Sequence, residues 1–237
     1  MIQMGTIGIS KSQWCPSGIG SILFTVNNRD YKEFSPQAIF HLFNRGVGKM
    51  EIFLDNEDFL FFLRRMKEAL YPSTIITKGR KYIPKMLPEG SFDLLLYCLM
   101  PNHFHLAIQQ LTDVSISNLI LKVCTSYSKY FNKKYNRVGS VWQDQFKAVL
   151  VETNEQLLWL AAYIHTNPQK AHLVNDLVKY PYSSHLDYLG LRQGMLCRKD
   201  LILGQFNSSK DYANSITGFD ESFMPNYLKL DEEGIAG

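Results

Sequence analysis

No stretch of this sequence carries the roughly 18 uninterrupted apolar residues that a membrane-spanning helix needs, and residues 1–20 lack the charged-then-apolar order of a secretory signal. The first absence argues against a bilayer-embedded chain, and the two together make a cytoplasmic location the expectation. Cysteine is scarce as well. Cys15, Cys98, Cys124 and Cys197 are scattered without a CxxC pair, which speaks against a zinc knuckle and against a disulfide scaffold. Internal repeats and low-complexity segments are missing too. What remains is 237 residues, 46% hydrophobic and 20% charged, which is enough chain to bury a substantial core.

The net charge of +3 hides an uneven distribution. Residues 64–89 hold Arg64, Arg65, Lys67, Lys78, Arg80, Lys81 and Lys85 against Glu68 and Glu89, a local balance of +5. Residues 119–150 hold Lys122, Lys129, Lys133, Lys134, Arg137 and Lys147 against Asp144, again +5. The end of the chain reverses sign: Asp211, Asp220, Glu221, Asp231, Glu232 and Glu233 face only Lys229, a balance of −5. One basic stretch is most simply a solvated surface; two in one compact body favour a polyanionic partner. An acidic end attached to such a body can compete with phosphate for the same cations or simply form a loose terminus.

Apolar periodicity gives the elements. Residues 38–44 read as a strand, and residues 55–69 as a helix in which Phe59, Phe62, Leu63, Met66 and Leu70 share a face behind the cap Asp55, with Asp58 three residues on and Pro72 as the stop. Residues 92–100 and 103–109 form a hairpin about Pro101-Asn102. Ile116, Leu119, Ile120, Val123, Tyr127, Tyr130 and Phe131 recur at helical spacing, with Lys122, Lys129 and Lys133 on the other side. A strand over 146–152 precedes a last helix capped by Thr153 or Asn154 and ended by Pro168. The order implies an α+β fold, a small antiparallel sheet with helices packed against it.

The densest chemical signal is Met100-Pro101-Asn102-His103-Phe104-His105-Leu106. Strand alternation sends His103 and His105 to one face and Phe104 into the core on the other. Two imidazoles on one rigid edge suit a metal, although buried, hydrogen-bonded histidines produce the same pattern. In Tyr163-Ile164-His165-Thr166-Asn167-Pro168, residues 163 and 167 fall four apart, so a phenol and an amide oxygen converge near the C-terminal edge of the helix. Two imidazoles and a neutral amide leave positions open for water and phosphate oxygens, a donor set that suits Mg²⁺ or Mn²⁺ acting on phosphodiesters. Position alone does not mark Tyr163 as a nucleophile, since most of the 13 tyrosines will pack their rings and leave the hydroxyl at the surface.

Four strings in order make the reading specific: residues 97–106 (YCLMPNHFHL), 139–147 (GSVWQDQFK), 163–168 (YIHTNP) and 180–184 (YPYSS). Together they resemble the HUH single-tyrosine transposases, above all the REP-associated tyrosine transposases. Phe40-His41-Leu42-Phe43-Asn44-Arg45-Gly46-Val47 and Ile52-Phe53-Leu54-Asp55 resemble that family's first strand and the entry to its first helix, so that the likeness spans about residues 37–190. It implies a ferredoxin-like sheet, with the histidine pair on a central strand and the tyrosine on a helix beside it. His103, His105 and Asn167 become metal ligands for Mg²⁺ or Mn²⁺, and Tyr163 becomes the nucleophile. Tyr127, Tyr130 and Tyr135 compete for that role, but they lie on a basic helix with no amide placed like Asn167 and read as core or base-stacking groups. Arg45, Lys122, Lys129, Lys133, Lys134, Arg137, Trp142, Gln143 and Lys147 are the candidate DNA contacts, with Trp142 equally placed to be core.

The implied layout is an extension over residues 1–35, a catalytic domain over 36–190 and a second extension with its acidic end over 191–237. The implied reaction is metal-dependent cleavage and rejoining of single-stranded DNA, with hairpin ends, through a 5′-phosphotyrosine. The likeness leaves open a homodimer and implies no membrane. Two rival readings are a DNA-binding descendant that no longer cuts and a metal-dependent phosphodiester hydrolase that uses water.

Overall fold

The computed structural model describes residues 37–72 and 86–218. The readings for residues 1–35, for the basic segment around Lys78 to Lys85 and for the acidic residues from Asp220 onward lie outside the described residues.

Strand β1 (Ile39–Arg45) leads through a 3-10 turn (Val47–Lys49) into helix α1 (Asn56–Leu70). The hairpin β2 (Phe92–Met100) and β3 (His103–Gln110) follows, then α2 (Ile116–Lys134) and β4 (Lys147–Val151). The strands lie in the order β2-β3-β1-β4 and every neighbouring pair is antiparallel. The succession β-α-β-β-α-β in that strand order is the ferredoxin-like arrangement. The elements match the periodicity to within a few residues at their ends, because each long apolar stripe has a helix or sheet to cover it.

Alternation along the strands sorts the side chains. Leu42, Phe104, Leu106, Ile108 and Ala148 face α1 and α2, joining Phe62, Met66, Leu119, Val123 and Tyr127 in one core. A bulge between Leu94 and Leu96 changes the parity of β2. Before it Leu94 faces α1 and α2; beyond it Tyr97 and Leu99 do so, while Leu96, Cys98 and Met100 turn to the other face. The hairpin turn is held by the entry to α1, where Ile52 N and Phe53 N both donate to Pro101 O, at 2.7 and 2.9 Å.

The second face of the sheet is covered by α3 (Asn154–Lys170), which starts at a Thr153/Gln156 capping box. From Leu160 to Pro168 every residue of α3 is buried. A helix enclosed all round needs a second layer outside it, and the C-terminal part of the chain supplies one. Helices α4 (His185–Tyr188), α5 (Asp200–Leu203) and α6 (Ser209–Thr217) place Tyr188, Ile202, Tyr212 and Ile216 in the same core as Leu157, Ala161 and Ile164. Residues up to Thr217 thus buttress α3. Pro168 does not end the helix, in contrast to the expectation. It removes only its own N–H, and Ala171 N still donates to Asn167 O at 2.9 Å.

The ends of α1 and α2 are tied by one buried carboxylate. Asp58 Oδ2 accepts from Leu54 N and from Tyr135 Oη, both at 2.8 Å, and Oδ1 accepts from Tyr130 Oη at 2.9 Å and Lys134 Nζ at 2.8 Å. Replacing Asp58 by Ala takes the acceptor from Leu54 N and from two tyrosine hydroxyls while Lys134 keeps Asp55 and Glu57, so the stability measured by urea unfolding should fall by about 2 kcal/mol. A loss below about 1 kcal/mol would instead mark the network as a solvent-screened surface pair.

Candidate active site

Strand pairing assembles the site on the α3 face. In the β1–β3 register Arg45 lies opposite His103 and Phe43 opposite His105. In the β1–β4 register Phe43 lies opposite Lys147. Alternation therefore brings His41, Phe43 and Arg45 of β1, His103 and His105 of β3, and Lys147 of β4 to one face, while Phe104 enters the opposite core as the sequence predicts. α3 lays Tyr163 across this face. Its ring centroid is 5.3 Å from that of His105 and 6.1 Å from that of His41, edge-on in both cases.

The imidazoles are held neutral. Burial pushes His41 down to about 3 and His103 down to about 4, the latter helped by the Arg45 guanidinium. His105 falls well below its ordinary value, through burial first and then through His103 and His41. The His103 tautomer is legible: its Nδ1 lies 2.6 Å from Asn102 Oδ1, and Asn102 Nδ2 is turned away to donate to Lys49 O at 3.4 Å. An amide oxygen only accepts, so the His103 proton sits on Nδ1. Its Nε2 then presents a bare lone pair, and that atom is buried without a hydrogen-bond partner.

This orphaned lone pair beside a second neutral imidazole fits a divalent cation. Among the described residues no group of three His, Cys, Asp or Glu surrounds a common point, so any further protein donor would be of another kind. Asn167 is 8% exposed, on α3, one turn beyond Tyr163.

Placement sorts the expected DNA contacts. Arg45 Nε donates to Gln143 Oε1 at 2.6 Å, and Gln143 N returns a bond to Arg45 O at 2.9 Å. Lys147 is exposed, with its ammonium 5.7 Å from the Phe43 ring centroid. Lys122, Lys129 and Lys133 belong to α2, on the far layer of the sheet, and the Arg137 guanidinium lies 5.5 Å over Phe131. Lys134 is bound by Asp55, Glu57 and Asp58, so its charge is already neutralised. Trp142 is a core residue: bridge pairing with Gly46 turns the indole inward, 5.4 Å from Phe104, and its Nε1 donates to Cys124 O at 3.2 Å. Tyr127 donates to Ile52 O, and Tyr130 and Tyr135 to Asp58, all of them away from the histidines.

The family described as "Transposase IS200 like" matches residues 59–167, from α1 to Asn167. Residues 59–167 are thus similar to an IS200-like transposase domain. A Haemophilus influenzae protein assigned as a REP-associated tyrosine transposase is 26% identical over 126 residues, covering 48% of this chain and 70% of its own. A solved structure, that of a REP-associated tyrosine transposase bound to a REP hairpin, is 16% identical with a TM-score of 0.47, covering 73% of this chain and 92% of that one.

Two features of the site and its surroundings are not visible in the sequence. One is His41, whose Nε2 lies 3.0 Å from His105 Nδ1; strand alternation puts it on the face of Arg45, but only β1–β3 pairing brings it to His105. The other is a buried relay behind Tyr163, in which His165 Nδ1 meets Tyr212 Oη at 2.6 Å and His165 Nε2 meets Ser184 Oγ at 2.7 Å. It fastens α3 to α6 on one side and to the Ser184 turn on the other. Between α3 and α6 a cavity of about 170 Å³ reaches Tyr163, lined also by Trp159, Thr166, Gln169 and Lys170.

The buried rings give the protein an acid limit. His41, His103 and His185 are held at about 3, 4 and 4 in the folded chain and return to about 6.5 when it unfolds. Groups with depressed folded values contribute stability that is complete above pH 6.5 and is lost as pH falls toward 4. The melting temperature of the metal-free protein should therefore drop between pH 7 and pH 4.5, and His185→Gln should flatten the drop. A melting temperature that does not change over this interval would show the rings to be solvated.

Proposed function

We propose that the chain cleaves and rejoins single-stranded DNA by transesterification, with Tyr163 as nucleophile and with His103, His105 and Asn167 as the protein donors to one Mg²⁺ or Mn²⁺. The observation that carries the reading is the approach of Tyr163 to within 5.3 Å of His105, ring centre to ring centre, inside the segment that matches the IS200-like transposase family. The His103 lone pair without a partner supports it.

In the proposed step Tyr163 gives up its phenolic proton, its oxygen forms a bond to phosphorus and the bond from phosphorus to the 3′-oxygen breaks. The 3′-oxygen leaves and takes up a proton, and the phosphate stays on the protein as a 5′-phosphotyrosine. Attack by another DNA 3′-hydroxyl reverses these changes and joins strands, without water or ATP. A bound divalent ion supplies alignment of the phosphate and stabilisation of its developing negative charge.

The chain's own residues do the rest. Arg45, oriented by Gln143, and Lys147, on the neighbouring strand, stand on the histidine face as partners for phosphate oxygens. Lys122, Lys129, Lys133 and Arg137 are left for backbone contacts farther from the reaction, of the salt-dependent kind. Histidines and tyrosine come from one chain, so the proposed chemistry takes no group from a second copy. The catalytic unit proposed for residues 36–190 works together with the buttress that continues to Thr217. The proposed substrate is single-stranded DNA with hairpin ends.

The test is incubation with Mn²⁺ and hairpin-bearing single-stranded DNA, read on a denaturing gel. The wild type should form a covalent adduct. Tyr163→Phe should form none while binding the DNA nearly as well, since only the attacking oxygen is lost. His103→Ala and His105→Ala should each stop cleavage, and Asn167→Ala should slow it. An adduct that persists in Tyr163→Phe would assign the nucleophile elsewhere, and normal cutting by either histidine variant would make the pair structural.

A further inference from the structure

Behind one of the two histidines proposed as metal ligands stands a third that the proposed chemistry leaves without a task. His41 projects from β1 diagonally to His105 of β3: it lies opposite Ala107, and Phe43 lies opposite His105. Its Nε2 is 3.0 Å from His105 Nδ1, and the two rings are stacked at 22° with centroids 5.2 Å apart. Both residues are fully buried. A hydrogen bond between two neutral imidazoles needs one proton in the gap, and the ring that supplies it fixes the tautomer of both. If His105 donates from Nδ1, its Nε2 is left with a lone pair; if His41 donates, His105 carries its proton on Nε2 and offers no lone pair there.

The neighbouring ligand shows which arrangement the site is built for. His103 donates from Nδ1 to Asn102 and leaves Nε2 bare. The two rings stand 4.9 Å apart at 84°, so a shared ion needs the same tautomer from His105. We infer that His41 is a positioning residue, a neutral acceptor that takes the His105 Nδ1 proton, fixes the ring orientation and turns the Nε2 lone pair toward the metal position. The chemistry is that of the carboxylates and carbonyls that usually stand behind metal-bound histidines. Here an uncharged acceptor fills the place: it adds no negative charge beside a site that must receive phosphate. Phe43, 4.8 Å from the His41 ring, and Tyr163, edge-on to it, confine the imidazole on other sides.

The inference rests on the reading of His103 and His105 as metal ligands, and the experiment separates the two. The first measurement needs no metal: two-bond proton–nitrogen correlation spectra of the metal-free protein, labelled with ¹⁵N histidine, report the tautomer of His105. The Nδ1–H form is expected; an Nε2–H ring in the wild type overturns the inference. The second is Mn²⁺ affinity by titration calorimetry on variants shown to be folded by circular dichroism. His41→Phe keeps an aromatic ring but removes the acceptor, and should weaken Mn²⁺ binding by about tenfold or more. His41→Gln, whose Oε1 can accept the same proton, should recover most of the affinity. His105→Ala sets the scale. If it loses Mn²⁺ while His41→Phe binds as tightly as wild type, the positioning role alone fails; if His105→Ala and wild type bind alike, the metal reading fails and the positioning role with it.

Discussion

The antiparallel pairing of β1 with β3 is the constraint on which the site depends. Its register puts Arg45 across from His103 and Phe43 across from His105, and brings β4 in on the other edge with Lys147 across from Phe43. A slip of one residue on β1 would send His41, Phe43 and Arg45 to the α1–α2 side and turn Leu42 toward α3. The register is secured from the opposite face, where Leu42, Phe104, Leu106, Ile108 and Ala148 pack against α1 and α2. The apolar core on one side of the sheet thus sets the position of polar groups on the other.

The second face has a different economy. Imidazoles, a phenol and a guanidinium gather there under a helix that is itself enclosed. Such a helix is stable because its outer side is covered by Tyr188, Ile202, Tyr212 and Ile216, and because the ring nitrogens of His165 are satisfied by Tyr212 and Ser184. Enclosure holds Tyr163 at 2% exposure, which fixes its ring against His105. Enclosure also keeps the histidines neutral, the form in which they can donate lone pairs.

Much of this was legible in the residues. The hairpin around Pro101-Asn102, the alternation that separates Phe104 from the two histidines, and the Asp55 cap with Asp58 three residues on all follow from local rules, and those elements stand where periodicity put them. Other features depend on partners distant in sequence. His41 looks like one polar residue in an apolar strand until β1 is paired with β3. Lys134 looks like part of a basic helix face until α1 brings Asp55, Glu57 and Asp58 beneath it. Trp142 sits in a string of polar residues, yet its bridge to Gly46 turns it into the core. Pro168 looks like a stop, but packing over both sides of α3 outweighs one missing hydrogen bond. The buttress from α5 and α6 gave no strong periodic signal because its helices are short.

The central claim, that the phenol of Tyr163 is the atom that becomes bonded to DNA, can be read without any substitution. Trypsin cutting after Lys147 and Lys170 releases residues 148–170 as a peptide whose one tyrosine is Tyr163, whereas Tyr127, Tyr130 and Tyr135 fall into three other peptides. Mass spectrometry of the nuclease-trimmed, trypsin-digested adduct should find the residual 5′-nucleotide on the 148–170 peptide. A nucleotide carried by any other tyrosine peptide would contradict the account.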